Sequence, residues 1–201
     1  GTLTNGPTVA TGQFGPCLSF DGTDDRISLA SSINMGTVFS ACIWAYPQTT
    51  GASQVLVGGA NTGYGIAQLN DADFYTRNDN GDFVGVLGAF SLNKWQHFLV
   101  VRSGTNVKFY MNGSQFGSDQ TLAGNSVTTI TTIGNFGDGT RTTKGLIDDV
   151  RIYNRALSIA EVAELYYRPW DLFAPRRFWP VKRAAAAAAA RRDYLSLLGV
   201  G

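Results

Sequence analysis

Short segments of alternating apolar and polar residues, separated by turn residues, recur along the chain up to residue 153. The clearest of them is residues 107–111, which run directly into Asn112-Gly113, the strongest short hairpin signal. No helical pattern interrupts the series. Many short strands without intervening helices are typical of an antiparallel sandwich or barrel, so the sequence predicts an all-β domain.

The predicted strands are distributed over the whole of this region. They comprise residues 18–20, 26–29, 39–46, 54–57, 95–101, 107–111, 128–133 and 146–153. The 24 glycines agree with this organisation, because the tight turns that join many strands favour glycine. Hydrophobic residues make up 44% of the 201-residue chain, which is enough for one sandwich to bury a sizeable core.

One helix is predicted after the last strand, and the composition changes beyond it. Ser158 and Glu161 have the spacing of a capping box, and Pro169 stops the helix. The following residues are aromatic, basic and broken by proline, and residues 184–190 are all alanine. We therefore expect a sandwich with one short C-terminal helix over residues 1–167 and an extended tail with an alanine-rich helical segment over residues 168–201.

The tail differs from the body in charge. It carries seven basic and two acidic residues, whereas the body carries nine basic and thirteen acidic ones. This asymmetry indicates that the tail has a partner of its own, although a solvated extension or a tail folded on its own body would have the same composition. Aromatic anchors and carboxylate-pairing arginines suit an assembly contact. The predicted assembly residues are Trp170, Phe173, Arg176, Arg177, Phe178, Trp179, Leu195 and Leu198.

Four motifs in this order resemble those of laminin-G-like domains of the concanavalin A-like jelly-roll class. They are the opening motif at 18–25, a core strand at 39–47, a central hairpin at 94–113, and a closing strand with its helix entry at 145–158. The resemblance implies an antiparallel jelly-roll β-sandwich. It implies less about function, because one fold hosts many functions.

Two departures from the family pattern bear on origin. Such domains usually begin with a further strand that contains a tryptophan, and the chain instead starts at Gly1. We expect that processing removed this strand or that another chain supplies it. The tail is similar to those of laminin-G-like proteins from bacteriophages.

No apolar run has the length of a membrane span.

Calcium is the metal that the sequence favours. The ion takes about six to eight oxygen ligands, and Asp21, Asp24 and Asp25 crowd one turn. In related β-glucanases and lectins of this fold, the aspartate matching Asp148 helps to hold a structural calcium. The crowded turn and the resemblance at Asp148 together predict a structural Ca²⁺ held by Asp21, Asp24 and Asp148. The alternative is that these carboxylates only accept backbone N–H bonds at turns.

Catalysis is not predicted. Glycoside hydrolysis needs two carboxylates facing each other across a sugar, about 5–10 Å apart. The two glutamates, Glu161 and Glu164, both lie on the predicted helix. His97 is the one histidine, so neither a catalytic triad nor a zinc site is favoured. We interpret His97, Trp44 and Trp95 as packing residues of strands.

Two loops dense in hydrogen-bonding side chains, residues 70–82 and 134–139, are the candidate sugar site. The predicted carbohydrate-binding residues are Asp73, Tyr75, Arg77, Asn78 and Asn135. Ordinary polar loops are the alternative interpretation.

The sequence thus favours a non-catalytic structural or adhesion module of an extracellular or virion assembly, of the decoration or fibre type. The sandwich would be displayed, and the tail would bind neighbouring copies or other structural subunits. A free carbohydrate-binding lectin is the alternative. Nucleic acid is not favoured, because the tail is short and the body is acidic. Cys17 and Cys42 either pair, if their strands are adjacent, or fill small gaps as free thiols.

Overall fold

Two antiparallel sheets form the protein in the computed structural model, which describes residues 1–49, 53–59, 63–69 and 73–170. The strands are numbered in chain order. Sheet A contains, in spatial order, β1 (Thr2–Thr4), β4 (Arg26–Asn34), β14 (Thr129–Ile133), β6 (Gln54–Gly58), β7 (Tyr64–Leu69), β8 (Asp73–Arg77) and β9 (Phe83–Val86). Sheet B contains β12 (Ser114–Gln115), β11 (Asn106–Met111), β10 (Gln96–Ser103), β5 (Val38–Pro47), β15 (Lys144–Tyr153), β3 (Pro16–Asp21) and β2 (Thr8–Thr11), with β13 (Gln120–Thr121) beside β11.

Neighbouring strands in each sheet are often distant in the chain. In sheet B, for example, β5 lies between β10 and β15 and pairs with both along most of its length. Such interleaving of antiparallel strands between two facing sheets confirms the predicted jelly-roll sandwich.

The main core lies between the sheets and is rich in aromatic side chains. Phe74 contacts Phe90, Phe98 and Phe109, with ring centroids 6.1, 5.3 and 4.8 Å away in edge-on arrangements. Aromatic pairs of this geometry contribute about 0.5–1.5 kcal/mol beyond their buried area. The inward residues of β5, such as Phe39, belong to the same core because successive side chains of a strand point to opposite faces.

A second apolar layer covers the outer face of sheet B. The helix α1 (Ile159–Tyr167) begins at Ser158, whose side chain accepts a bond from the Glu161 backbone N–H while Glu161 bonds back to the Ser158 N–H. This capping box confirms the sequence prediction. Val162 and Leu165 are the buried helix residues, and they pack on a cluster of sheet residues. The sheet B side of that cluster consists of Cys42, Leu99, Val101 and Tyr110.

Most of the predicted elements are present, and the structure adds several. All eight predicted strand segments fall on observed strands. The segment 70–82, predicted as a loop, contains β8 instead. Both cysteines are buried free thiols, on strands β3 and β5 that have β15 between them. No helix in the described part of the chain has the length and apolar character needed to cross a bilayer.

Candidate functional site

Strand β8 presents three of the predicted sugar-binding residues on one face. Phe74 and Thr76 point inward and are buried, so the alternating residues Asp73, Tyr75 and Arg77 point to the outer face of sheet A and are half-buried. The structure therefore brings these three residues together, although on a strand and not on the predicted loop.

The Tyr75 ring packs on a glycine of the neighbouring strand β9, a contact that the sequence did not reveal. Gly85 is the residue of β9 directly opposite Tyr75, and a Cβ atom at Gly85 would lie only 2.5 Å from Tyr75 Cδ1. The ring therefore lies over the glycine backbone. Phe83, two residues along the same face of β9, is 57% exposed, and its ring centroid is 5.7 Å from that of Tyr75. We call Tyr75 and Phe83 the aromatic strip.

Polar groups fixed by hydrogen bonds lie on either side of the aromatic strip along β8. The Asp73 carboxylate accepts a 2.9 Å bond from the Gly88 backbone N–H. At the other end of the strand, Arg77 Nε donates a 3.0 Å bond to the Gly81 carbonyl in the turn between β8 and β9. Each side chain is thus oriented by one bond to the backbone. The second carboxylate oxygen of Asp73 can still accept hydrogen bonds on this face, and the terminal N–H groups of Arg77 can still donate them.

A second aromatic group continues this face toward the centre of sheet A. Tyr64 and Phe136 meet edge-on with centroids 6.5 Å apart, and the Arg141 guanidinium carbon lies 5.1 Å from the Phe136 ring centroid. Burial raises the pKa of Tyr64 to about 12, and the charges of Arg77 and Arg141 oppose that rise. Both guanidinium groups are therefore close enough to act on one phenol. Sequence reasoning flagged the loop of Phe136 but missed Tyr64 and Arg141.

Asn78 and Asn135 correct the predicted sugar site. Both residues are 0% exposed, so their side chains cannot contact a ligand on the surface. Asn78 forms bonds to Asp82 and to the Gly124 carbonyl and holds the turn between β8 and β9. Asn135 accepts a 2.8 Å bond at its carbonyl from Thr132, and its amide group is enclosed. The polar side chain of Asn78 thus serves the fold, whereas at Asn135 the backbone carbonyl has this role and the buried side-chain amide has no hydrogen-bond partner among the described residues.

The predicted calcium ligands do not form one group. Asp21, Asp24 and Asp25 lie at a single turn, with ligand atoms within 4.8 Å of one another. Asp21 pairs with Lys144 on β15, and Asp148 lies four residues further along that strand. Asp148 is therefore about 13 Å along the strand from the residue opposite Asp21. It accepts a 3.4 Å bond from the Phe14 backbone N–H instead.

The carboxylates of the turn fit a calcium ion in chemistry but already serve the backbone. Asp25 accepts a 2.9 Å bond from the Asp21 N–H, and Asp21 accepts a 2.7 Å bond from the Thr23 N–H. Each carboxylate keeps a second oxygen that Ca²⁺ would accept as a ligand. The calcium site stays a prediction. Its candidate ligands at this turn are Asp21, Asp24 and Asp25, and Asp148 is not among them.

Chelation tests the calcium prediction. We expect added Ca²⁺ to raise the Tm relative to EDTA, since an ion at a hundredfold excess over its Kd stabilises the folded state by about 2.7 kcal/mol. Asp24→Asn should abolish the difference, while Asp148→Asn should keep it. Equal Tm values with calcium and with EDTA would show that the aspartates only shape the turn.

Of the predicted assembly residues, Trp170 is described, and it is 48% exposed. The others, from Phe173 to Leu198, lie outside the described residues.

Comparison with known proteins identifies the relatives of this fold. A family profile described as the concanavalin A-like lectin/glucanases superfamily matches residues 21–163. The adhesion G-protein coupled receptor V1 of Danio rerio is 26% identical over 147 residues, which cover 65% of this chain and 2% of the receptor. The chain thus spans a very small part of that relative.

Solved structures share the sandwich at low sequence identity. Domain 4 of AbnA, an extracellular arabinanase from Geobacillus stearothermophilus solved in complex with arabinotriose, has a TM-score of 0.57 and 21% identity over 83% of this chain and 82% of its own. The binding domain of Paraclostridial Mosquitocidal Protein 1 has a TM-score of 0.60 and 16% identity over 85% of this chain and 47% of its own. At these identities the likeness concerns the fold.

Proposed function

Because the chain belongs to the concanavalin A-like lectin and glucanase superfamily, we propose that it is a non-catalytic binding module that takes a carbohydrate on the outer face of sheet A. The observation that carries the proposal is the aromatic strip, in which Tyr75 lies over Gly85 beside the exposed Phe83. A ring held by its own sheet loses little freedom when a ligand stacks on it.

The polar flanks of the strip suit a sugar. The C–H face of a sugar ring is apolar and packs on aromatic side chains, while its hydroxyl groups need donors and acceptors at the edge. Asp73 offers acceptor oxygens on one side of Tyr75, and Arg77 offers N–H donors on the other. The arabinotriose bound to domain 4 of the arabinanase AbnA, a protein of the same fold, supports a saccharide as the first ligand class to test.

Non-catalytic binding agrees with how the glutamates are used. Glu161 pairs with Arg155 at 2.6 Å and caps α1 through Ser158, and Glu164 lies on the same helix. Both are therefore structural or surface groups of the helix that packs on sheet B, whereas the aromatic strip belongs to sheet A.

Removal of the Tyr75 ring tests the binding face. Tyr75→Ala should weaken saccharide binding by at least about fivefold, since an aromatic contact of this kind contributes on the order of 1 kcal/mol or more. The measurement is a glycan array with the full chain, followed by calorimetric titration of each glycan that binds, with arabinotriose as the first probe.

The matched control is Tyr167→Ala, which removes an exposed tyrosine on the helix side of the protein. It should leave the affinity unchanged. Thermal unfolding establishes that both variants are folded, and we expect a lower Tm for Tyr75→Ala because its half-buried ring packs on Gly85. If Tyr75→Ala binds as tightly as Tyr167→Ala, the aromatic strip is not the binding face.

We further propose that the module works outside the cell or on a virion surface, with the sandwich displayed and residues 168–201 bound to neighbouring subunits. The basic, aromatic composition of that segment and the 48% exposed Trp170 support this role. Light scattering tests it on the full chain beside a chain that ends at Tyr167. We expect an oligomer for the first and a monomer for the second, and two monomers would contradict self-assembly.

A further inference from the structure

A cleft with two cationic side chains lies between the starts of β6 and β15 and the turn that joins β3 to β4. It has a volume of about 310 Å³, within the size range of small-ligand sites. Its lining combines two basic side chains with hydroxyl and amide groups. The lining residues are Gly22, Thr49, Ser53, Gln54, Arg141, Thr142 and Lys144.

Arg141 and Lys144 are both exposed, and each has one packing contact that orients part of its side chain. Lys144 lies across Gly22, where an added Cβ would meet its Cβ, Cγ and Cδ atoms at 2.8 to 3.4 Å. Arg141 lies over the Phe136 ring, with its guanidinium carbon 5.1 Å from the ring centroid. Side chains that are already seated lose less conformational entropy when an anion binds them.

Hydrogen bonds fix the backbone of the same loop. The Val55 N–H donates to the Arg141 carbonyl at 2.8 Å, and the Lys144 N–H donates to Gln54 Oε1 at 2.6 Å. Thr142 adds a bond from its hydroxyl to the Gly22 carbonyl. Arg141 also adopts φ = 51°, a left-handed conformation that non-glycine residues rarely take, so its position is defined by the surrounding contacts.

The charges of the cleft are available to a ligand. Neither cation forms an ion pair with a carboxylate among the described residues. Asp138, on the same loop as Arg141, directs its Oδ1 to Thr140, which holds the pKa of that carboxyl below its usual value, with a smaller contribution from Arg141. Asp21 borders Lys144 across the strand pair but is turned to the Thr23 N–H and does not line the cleft.

We infer that this cleft binds the anionic group of an acidic saccharide, a carboxylate or a sulfate, through Arg141 and Lys144. The inference rests on the proposed function, because Arg141 also packs on Phe136, which contacts Tyr64 on the outer face of sheet A. Tyr75 packs against the cluster that contains Tyr64 and Phe136, so a chain of side-chain contacts connects the aromatic strip with Arg141. Guanidinium and ammonium donors with neighbouring hydroxyl groups match the oxygens of a carboxylate or sulfate.

The test compares matched acidic and neutral saccharides by calorimetric titration of the full chain. The probes are oligogalacturonate for carboxylate groups, dextran sulfate for sulfate groups, and dextran and arabinotriose as neutral saccharides. We expect tighter binding of one acidic probe than of the neutral ones, with an affinity that falls as salt is added. Arg141→Ala/Lys144→Ala should lower that affinity by at least about tenfold, because charge-assisted hydrogen bonds are lost.

The matched control is Lys108→Ala/Arg155→Ala, which removes one lysine and one arginine that form surface ion pairs elsewhere. It should keep the affinity of the parent. Lys144→Glu is the second variant, since it reverses a charge without altering the loop of Arg141. Thermal unfolding establishes that each variant is folded.

The possible outcomes separate the two proposals. Equal binding of acidic and neutral saccharides that survives Arg141→Ala/Lys144→Ala but is lost in Tyr75→Ala overturns the inference and leaves the proposed function intact. Acidic binding that needs both cations but not Tyr75 supports the cleft and contradicts the aromatic strip. If no saccharide of either kind binds, both proposals are wrong.

Discussion

Replacing Arg102 by alanine is expected to lower the free energy of unfolding by about 3 to 5 kcal/mol. Arg102 is 0% exposed on β10. Its guanidinium group donates to the Gly104 and Ser126 carbonyls at 2.8 and 2.6 Å and to Thr128 Oγ1 at 2.9 Å. Alanine would leave the buried Thr128 hydroxyl and the half-buried Gly104 and Ser126 carbonyls without their donor and would create a cavity.

Urea unfolding measures the effect, and two variants bracket it. Lys108→Ala, which removes a surface cation with 44% side-chain exposure, should change stability by less than about 0.5 kcal/mol. Arg102→Lys keeps a charge but not the planar fork of donors, so it should fall between the two. An Arg102→Ala variant that unfolds within about 1 kcal/mol of the parent would mean that water replaces the guanidinium group without penalty.

Acidification from pH 6.5 to pH 4 should cost the folded state about 3 kcal/mol through His97 alone. His97 is 2% exposed, and desolvation, with a smaller contribution from the charge of Arg151, lowers its pKa from 6.5 to about 4. Above pH 6.5 the imidazole is neutral in both states. Between pH 6.5 and pH 4, His97 binds a proton in the unfolded chain but stays neutral in the folded chain, so the free energy of unfolding falls as the pH falls.

His97→Gln separates this effect from other titrations. The two proteins are compared by the slope of the free energy of unfolding against pH, so a difference in their absolute stability does not affect the test. The hydrogen bond from Arg155 is the largest of the effects that lower the pKa of Glu161 to about 2. The stability that Glu161 contributes is therefore lost at lower pH, and it is lost in both proteins. If parent and variant lose stability in parallel from pH 6.5 to pH 4, the His97 imidazole is solvated in the folded state.

The aromatic strip shows why sequence reasoning found part of the binding face and missed the rest. Tyr75 was predicted because it sits among polar residues in one segment. Its seat on Gly85 and its neighbour Phe83 come from the pairing of β8 with β9, which fixes which residues stand opposite each other. Nothing in the local sequence distinguishes that glycine from a turn glycine.

Asn78 and Asn135 show the opposite error. Polar side chains in glycine-rich loops are usually exposed, so sequence reasoning assigned both to a sugar site. The structure buries them because loops fold back over the ends of the strands and their own backbone groups need partners away from water. Burial of this kind depends on packing between segments distant in the chain.

Local sequence patterns were enough to predict eight of the fifteen described strands, the capped helix and the sandwich class, because alternation, hairpin turns and the capping box act between residues a few positions apart. Which side chains share a face depends instead on contacts between segments that are distant in the chain. The tertiary structure separated Asp148 from Asp21, joined Arg141 and Lys144 in one cleft, and enclosed His97 and Arg102. These outcomes depend on strand order and register, which are set by the burial of the whole core and not by any local segment.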